Sequence, residues 1–225
     1  MSLGIIGGTS LLFTRLPSLR EQVVRTPFGG ADVLTGDVTI LLRHQGSTPP
    51  HRINFCANMA ALAILGVDRV ISFGSSGSLK TEIKPGSIMV PDDYMSLLDI
   101  PSIHDHTISH IMPVISPELN RELGRLFPQA RLGGTYVQTR GPRIETIAEV
   151  NTLAKIADIV GMTVASEATL ACELGIEFAA VCTIDNYANG LGKDVLSYEH
   201  IVETARFFSE RTGEMVTTLI ENMGG

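Results

Sequence analysis

The chain has 225 residues with 17 Lys+Arg against 24 Asp+Glu, which gives a formal net charge of -7 at pH 7. A hydrophobic fraction of 44% with 18% charged residues is ordinary globular composition and excludes a disordered chain. The negative balance argues against nucleic acid as a partner. No apolar run approaches the ~20 residues that a membrane span needs, so we expect no membrane association.

The N-terminus and the cysteines both bear on the compartment. The opening MSLGIIGGTS has no basic n-region, so we expect no signal peptide and a cytoplasmic protein. Cys56, Cys172 and Cys182 are odd in number and show no CxxC spacing. They predict buried thiols in a reducing compartment, not a disulfide framework or a zinc site.

Short apolar runs that end in glycine-rich turns alternate with helical patterns. About seven strands are predicted, over 3–8, 38–44, 69–78, 86–91, 133–142, 158–163 and 177–186. Helices are predicted over 52–65, 117–127, 144–156, 166–175 and 197–221. This alternation predicts an α/β layered fold with a largely parallel sheet, in a single domain over 1–225. The polar stretch 92–112 has little periodicity and is predicted to be a long functional loop.

Three strand ends carry groups that suit an anion. Residues 7–10 (GGTS) offer close backbone approach and two hydroxyls. Arg43 and His44 offer a guanidinium and an imidazole, and residues 74–78 (GSSGS) offer N–H groups and hydroxyls. Strand ends are where α/β sheets bind ligands, so together they predict a site for one phosphate-sized anion. Each segment alone fits an ordinary tight turn equally well.

The most specific stretch is GTYVQTRGPRIETIAE at 134–149. Together with other motifs, it makes the sequence resemble the trimeric purine nucleoside phosphorylase and methylthioadenosine phosphorylase family over nearly the whole chain. Those motifs are IIGGT at 5–9, TPFG at 26–29, RH at 43–44, PPHRINFCANMAAL at 49–62, GSSGSL at 74–79, PGSIMVPDD at 85–93, VGMTVASEATLACELGI at 160–176 and DN at 185–186. The resemblance implies a three-layer α/β/α domain around a mixed, largely parallel sheet. It also implies a homotrimer or a dimer of trimers.

The resemblance also implies roles for individual residues. Positions that match phosphate-binding ones are Thr9, Arg43, His44, Ser75 and Thr163. Positions that match the ribose site are Tyr136, Met162, His200 and His110, of which His110 would reach a neighbouring subunit's sugar pocket. Purine-contacting positions are Ile144, Glu145 and Asn186. Glu145 would face N1–H of the base, and Asn186 would face O6 and N7.

The implied reaction is phosphate-dependent cleavage of a purine nucleoside, in which inorganic phosphate is a co-substrate and no cofactor is needed. Such a reaction passes through an oxocarbenium-like sugar between an anionic nucleophile and a departing purine. Positioning and preorganised donors stabilise that state, and Arg43 suits bidentate recognition of phosphate. We expect Asn186, Glu145 and His44 to carry the catalysis.

Two positions bear on the substrate. Asn186 can donate to O6 and N7, which favours hypoxanthine or guanine over adenine, although a one-residue slip would place the neighbouring Asp185 in the site instead. His200 matches a histidine that contacts the 5′-hydroxyl in phosphorylases of ordinary nucleosides. It is therefore predicted to favour inosine and guanosine, unless it is a solvent-facing residue at a helix N-terminus. A methylthioadenosine or methylthioinosine phosphorylase is the close alternative, in purine or methionine salvage.

Other classes fit less well. A hydrolytic nucleosidase has no use for a phosphate cradle, and a Rossmann oxidoreductase predicts a GxGxxG spacing that GIIGGTS lacks. A non-catalytic nucleotide-binding module would bind without turnover. His104 and His106 flank Asp105, but no third ligand has suitable spacing, so we expect no metal. Within the resemblance, Glu167 is implied to orient the ribose-site backbone, and Ser166 stands where the family usually has proline.

Overall fold

The computed structural model describes residues 2–8, 11, 14, 16, 19–97, 99–192, 203–204 and 206–224. The strands in this part of the chain are β1 (Leu3–Gly7), β2 (Arg20–Thr26), β3 (Gly29–Thr35), β4 (Thr39–Leu42), β5 (Arg69–Ser78), β6 (Ile88–Val90), β7 (Asp93–Ser96), β8 (Arg131–Leu132), β9 (Thr135–Gln138), β10 (Ile159–Gly161) and β11 (Glu177–Tyr187). The α-helices are α1 (Phe55–Ile64), α2 (Pro117–Leu126), α3 (Ile147–Leu153), α4 (Val164–Glu173) and α5 (Ser209–Met223).

These strands form one mixed sheet. Its main path runs β2-β3-β4-β1-β5-β10-β9-β7, and β11 pairs with β5 off that path. The central strands β4, β1, β5 and β11 are mutually parallel. The β2–β3 hairpin, β3 against β4, and β10 against β5 are antiparallel. The predicted α/β class with a mixed, largely parallel sheet is therefore confirmed.

Helices cover both faces of the sheet. Successive side chains of a strand point to opposite faces of the sheet, as the neighbouring residues Ile5 and Ile6 of β1 do. Ile6 belongs to the core cluster that contains Leu62 of α1 and the apolar side of α4. Ile5 belongs to a second cluster, which contains Leu123 of α2 and Leu219 of α5. The chain therefore has the three layers that the resemblance implies.

The hairpin β2–β3 and the strand β7 depart from the sequence expectations. Most side chains of β2 are exposed or half-exposed, so the strand lacks the apolar pattern of a central strand. Strand β7 lies inside the stretch 92–112 that was expected to be a loop. It is held by its parallel pairing with β9. Both strands depend on pairing with distant segments, which local periodicity does not reveal.

Helix ends differ by a few residues from the expected ones. The helix expected from residue 144 begins at Ile147, because Thr146 and Glu149 form a capping box that sets its first turn. Helix α4 begins at Val164, two residues earlier than expected. Of the helix expected over 197–221, residues 197–202 and 205 lie outside the described residues. Residues 203–204 and 206–207 are helical, and the continuous helix α5 begins at Ser209.

Candidate active site

The long strand β5 is paired along its whole length on one edge and only at its two ends on the other. On one side it pairs with β11 along its whole length, from Arg69 to Ser78. On the other side β1 pairs only with residues 69–72 and β10 only with residues 77–78. The described strands therefore leave residues 73–76 open on that edge, where the C-terminal ends of β1, β4 and β10 converge. This is the usual position of a ligand site in an α/β sheet.

Arg43 fills the first part of this opening as half of a buried ion pair. Its Nε lies 2.6 Å from Oε1 of Glu167, and its Nη2 donates to Oε2 at 3.1 Å. Nη2 also donates to Ser72 Oγ at 2.8 Å, and Nη1 donates to the Phe73 carbonyl at 2.8 Å. A Cβ on Gly8 would collide with this guanidinium, so the glycine permits its approach.

The ion pair corrects one sequence expectation. Four of the five N–H donors of the Arg43 guanidinium are engaged within the protein, so no free fork remains for bidentate contact with phosphate. The carboxylate of Glu167 also neutralises its charge. Glu167 was expected to orient the backbone of the ribose site, and in the structure its carboxylate holds the Arg43 side chain.

His44 follows Arg43 and is half-buried. Its Nδ1 lies 2.9 Å from the Thr48 carbonyl. Burial and the neighbouring Arg43 charge lower the pKa of His44, so the ring is neutral at neutral pH. A proton on Nδ1 satisfies the Thr48 carbonyl and leaves Nε2 as an acceptor in the neutral ring.

Tyr136 and Thr163 meet at the N-terminus of α4. The Tyr136 hydroxyl accepts hydrogen bonds from the backbone N–H groups of Thr163 (3.2 Å) and Val164 (3.4 Å). Tyr136 is fully buried, and its burial raises the pKa of the hydroxyl. Tyr136 exposes no surface in this structure, and its expected place beside the ribose stays a prediction. The residue fixes the start of the helix that carries Glu167.

Ser166 forms a reciprocal pair with Gln138. The Ser166 N–H donates to Gln138 Oε1 at 2.9 Å, and Gln138 Nε2 donates to Ser166 Oγ at 2.7 Å. Both residues are buried. Proline has no N–H and could not make the first of these bonds. The departure from the family's usual proline is thus matched by a partner on β9.

Glu145 lies on the side of the opening formed by the segment between β9 and α3. Its buried carboxylate accepts a hydrogen bond from Thr139 Oγ1 at 2.6 Å, and its backbone carbonyl accepts one from Asn189 Nδ2 at 2.9 Å. The second bond joins this segment to the end of β11. A cleft of about 620 Å³ adjoins Glu145 and is also lined by residues of α3. The neighbouring Ile144 is half-buried.

Asn186 and Met162 are partly exposed beside two glycines. Asn186 Nδ2 donates to the Tyr187 carbonyl at 2.8 Å, and a Cβ on Gly77 would lie 3.3 Å from that Nδ2. A Cβ on Gly141 would collide with the sulfur of Met162. Gly77 therefore leaves room for the Asn186 amide, and Gly141 leaves room for the Met162 thioether.

Ser75 and Asp185 form a further contact at these strand ends. Strand β11 has an irregularity between Ile184 and Asn186, and Asp185 is the extra residue there. The Ser75 hydroxyl donates to Asp185 Oδ2. Burial raises the pKa of Asp185 to about 6, against the lowering effect of hydrogen bonds from Ser75 and Thr183. The sequence pointed to Asp185 only as a neighbour of Asn186, because a bulge has no local signature.

The remaining expected site residues are Thr9, His200 and His110. Thr9 and His200 lie outside the described residues. His110 is exposed in the segment between β7 and α2.

Among the described residues, no three His, Cys, Asp or Glu side chains cluster as metal ligands would, and no helix could cross a membrane. Cys182 is buried, but Cys56 and Cys172 are only half-buried, which corrects the expectation for these two.

A mixed α/β sheet whose strand ends carry buried charged and polar groups is the architecture in which α/β enzymes bind their ligands. The chain's family follows from its relatives. Residues 2–221 match the Phosphorylase superfamily, so the chain belongs to that superfamily. The resemblance stated from the motifs is confirmed.

Named relatives cover almost the whole chain. It is 41% identical to a probable 6-oxopurine nucleoside phosphorylase of Archaeoglobus fulgidus, over 91% of this chain and 89% of the relative. A probable S-methyl-5'-thioinosine phosphorylase of Methanocaldococcus jannaschii is 33% identical over 97% and 91%. A methylthioadenosine phosphorylase structure from an antarctic soil metagenomic library has a TM-score of 0.83 and 27% identity, over 100% of this chain and 88% of that one.

Proposed function

We propose that this protein uses inorganic phosphate to cleave the N-glycosidic bond of 6-oxopurine nucleosides, inosine and guanosine, giving the free base and ribose 1-phosphate. One observation carries this proposal. Arg43 donates to the Phe73 carbonyl at the opening in β5, and Asn189 joins the segment that carries Glu145 to the end of β11, where Asn186 lies. The relatives named as 6-oxopurine nucleoside phosphorylases support the substrate class.

In this proposal the two halves of the site act on opposite sides of the sugar. The phosphate is held by Thr9, Ser75 and Thr163, and His44 Nε2 accepts from its protonated oxygen. The single Arg43 N–H that has no partner among the described residues contributes to the same site. Met162 packs against the sugar, and His200 faces its 5′-hydroxyl. No step in this reaction requires a metal or a cofactor.

The base side stabilises the departing purine. As the glycosidic bond breaks, negative charge grows on N7 and O6 of the base. The Asn186 amide donates to these atoms, and the Glu145 carboxylate accepts from N1–H, with Ile144 packing beside the base. Preorganised donors of this kind contribute about 2.7–4 kcal/mol each by analogy with oxyanion holes.

The second candidate substrate is a 5′-methylthio nucleoside. It is favoured by the relative named as an S-methyl-5'-thioinosine phosphorylase, which is 33% identical to this chain. Methylthioinosine carries the same 6-oxopurine, so the contacts proposed for Asn186 and Glu145 apply to it unchanged. The two substrates differ only at the 5′ position, which is proposed to face His200.

We further propose a homotrimer, or a dimer of trimers, in the cytoplasm. The segment between β7 and α2 exposes Ile108 (93%) and Met112 (87%) on either side of His110. Apolar side chains exposed to this degree favour a covered surface. Sedimentation equilibrium tests this proposal, and a monomer at micromolar concentration would contradict it.

The function is tested by release of free base from inosine, guanosine, adenosine, methylthioadenosine and methylthioinosine, each with and without phosphate. We expect phosphate-dependent release from inosine and guanosine. Phosphate-dependent release from methylthioinosine alone would favour the second candidate. Release from methylthioadenosine alone would contradict the role of Asn186, and release without phosphate would contradict a phosphorylase altogether.

A further inference from the structure

The contact between Ser75 and Asp185 poses a problem for a phosphate site. Ser75 is one of the residues proposed to hold phosphate, yet its hydroxyl donates to a carboxylate. A serine hydroxyl has only one proton to donate. While that proton is directed to Asp185, Ser75 offers an anion only its lone pairs. The carboxylate charge beside the anion would repel it as well.

A proton on Asp185 removes both obstacles. The protonated carboxyl becomes a donor and can donate to Ser75 Oγ, so the Ser75 hydroxyl proton is released and can turn towards the anion. The carboxyl is then neutral, so the repulsion is lost too. The surroundings favour this state, because Asp185 is only 5% exposed and burial raises its pKa to about 6.

We propose that Asp185 is a positioning residue of the phosphate site, and that the anion binds together with one proton on the Asp185 carboxyl, which turns the Ser75 hydroxyl into a donor to the anion. This inference rests on the proposed function. It adds to that function a residue that contacts Ser75 and not the substrate. It predicts that anion affinity falls as Asp185 loses its proton.

Other groups near Asp185 respond differently to pH. The Cys182 thiol on the same strand has a pKa raised to about 12 by burial and stays neutral. Arg43 and Glu167 neutralise each other in their ion pair. Burial and the Arg43 charge lower the pKa of His44, so this ring too gains charge as pH falls. A variant that keeps His44 and lacks the Asp185 charge isolates the effect of Asp185.

The test compares the wild-type protein with Asp185→Asn, using inhibition by sulfate at pH values from about 5.5 to 7.5. Sulfate carries no proton in this range, so only the protein titrates. We expect the inhibition constant of the wild type to rise roughly 20-fold more than that of the variant, as one linked proton with a pKa near 6 requires. Asp37→Asn, which removes an exposed carboxylate in the turn before β4, should follow the wild type.

Calorimetry gives a second readout that does not depend on turnover. Sulfate binding at pH 7 is measured in buffers of different ionisation enthalpy, which counts the protons taken up. The wild type should take up close to one proton more than Asp185→Asn, and Asp185→Thr serves as a second variant if the first does not fold. Zero proton uptake by the wild type would overturn the inference whatever the variants do.

Failure of the inference and failure of the proposed function give different results. Phosphate-dependent cleavage with parallel sulfate profiles in wild type and Asp185→Asn would leave the function intact and overturn the role of Asp185. Cleavage of inosine without phosphate by the wild type would contradict the function itself. If that cleavage were abolished in Asp185→Asn, the carboxylate would act on water instead.

Discussion

The Arg43–Glu167 pair is the buried charge on which the candidate site depends. Each side chain is 2% exposed, and Ser72 donates to the same carboxylate at 2.6 Å. Replacement of Glu167 by Gln keeps the shape but leaves the guanidinium charge buried without its counter-ion. Breaking such a pair costs about 3–5 kcal/mol. We therefore expect Glu167→Gln to lower the free energy of unfolding by that amount, measured by urea denaturation.

The matched control is another Arg–Glu pair on the same protein. Arg143 and Glu149 are 2.7 Å apart, but their side chains are 66% and 43% exposed. Solvent screens exposed pairs, so Glu149→Gln should destabilise the protein far less. Equal losses in the two variants would show that the buried pair is not special. If Glu167→Gln lost stability without any change in the Michaelis constant for phosphate, Arg43 would have no part in binding the anion.

Asn186 is the residue that should decide between purines. An amide donates to O6 and N7, whereas a protonated Asp can donate to N7 and accept from a 6-amino group. We expect Asn186→Asp to shift the ratio of kcat/KM for adenosine over inosine upwards by about tenfold or more, from the loss of one hydrogen bond and the gain of another. An unchanged ratio would remove Asn186 from base recognition.

The strand ends that bear the site could be predicted from residues 43–44, 74–78 and 134–149, because glycines and polar groups after apolar runs have a local signature. The partners of those residues could not. Arg43 pairs with a glutamate 124 positions away, and Ser75 with an aspartate 110 positions away. Which hydroxyl or carboxylate a side chain meets depends on packing between distant elements. For this reason the sequence predicted a phosphate role for Arg43 and a ribose role for Tyr136 but not their partners within the protein.

At the scale of elements, the join between β9 and α4 depends on the Gln138–Ser166 pair. Ser166 lies in the first turn of α4, where proline fits the helix because its missing N–H has no partner within the helix. Ser166→Pro should therefore fold, but it leaves the buried Gln138 amide without its two bonds. We expect a loss of about 1–3 kcal/mol in the free energy of unfolding.

A double variant tests whether the pair explains that loss. When both partners are replaced by apolar groups of similar size, the change can be nearly neutral. Gln138→Leu combined with Ser166→Pro should thus recover most of the stability, as measured by a double-mutant cycle. Additive losses in the cycle would mean that proline strains the turn and that the pair is incidental.

The strands fall into two groups, those that their own sequence predicts and those that form only by pairing with a distant strand. Strands β1, β5 and β11 are buried and apolar, and their runs predict them directly. Strands β2 and β7 carry polar or exposed side chains and exist through pairing with β3 and β9. Propensity describes fit to a half-buried pleated surface, so it cannot identify a strand whose neighbours are unknown.

For the molecule as a whole, Asp185 makes stability depend on pH. Its pKa is raised from 3.8 to about 6 in the folded protein, so the native state holds this proton more tightly than the unfolded state. Stability from this group is therefore present at low pH and is lost as pH rises from about 4 to about 6. The shift corresponds to roughly 3 kcal/mol at most.

Asp185→Asn removes this titration while all other groups keep theirs. The difference in unfolding free energy between variant and wild type should grow in favour of the variant as pH rises from about 4 to 6, and then stay level. Urea denaturation at a series of pH values measures it, with Asp37→Asn as the exposed control that should track the wild type. A constant difference across that range would mean that Asp185 titrates as an ordinary carboxyl.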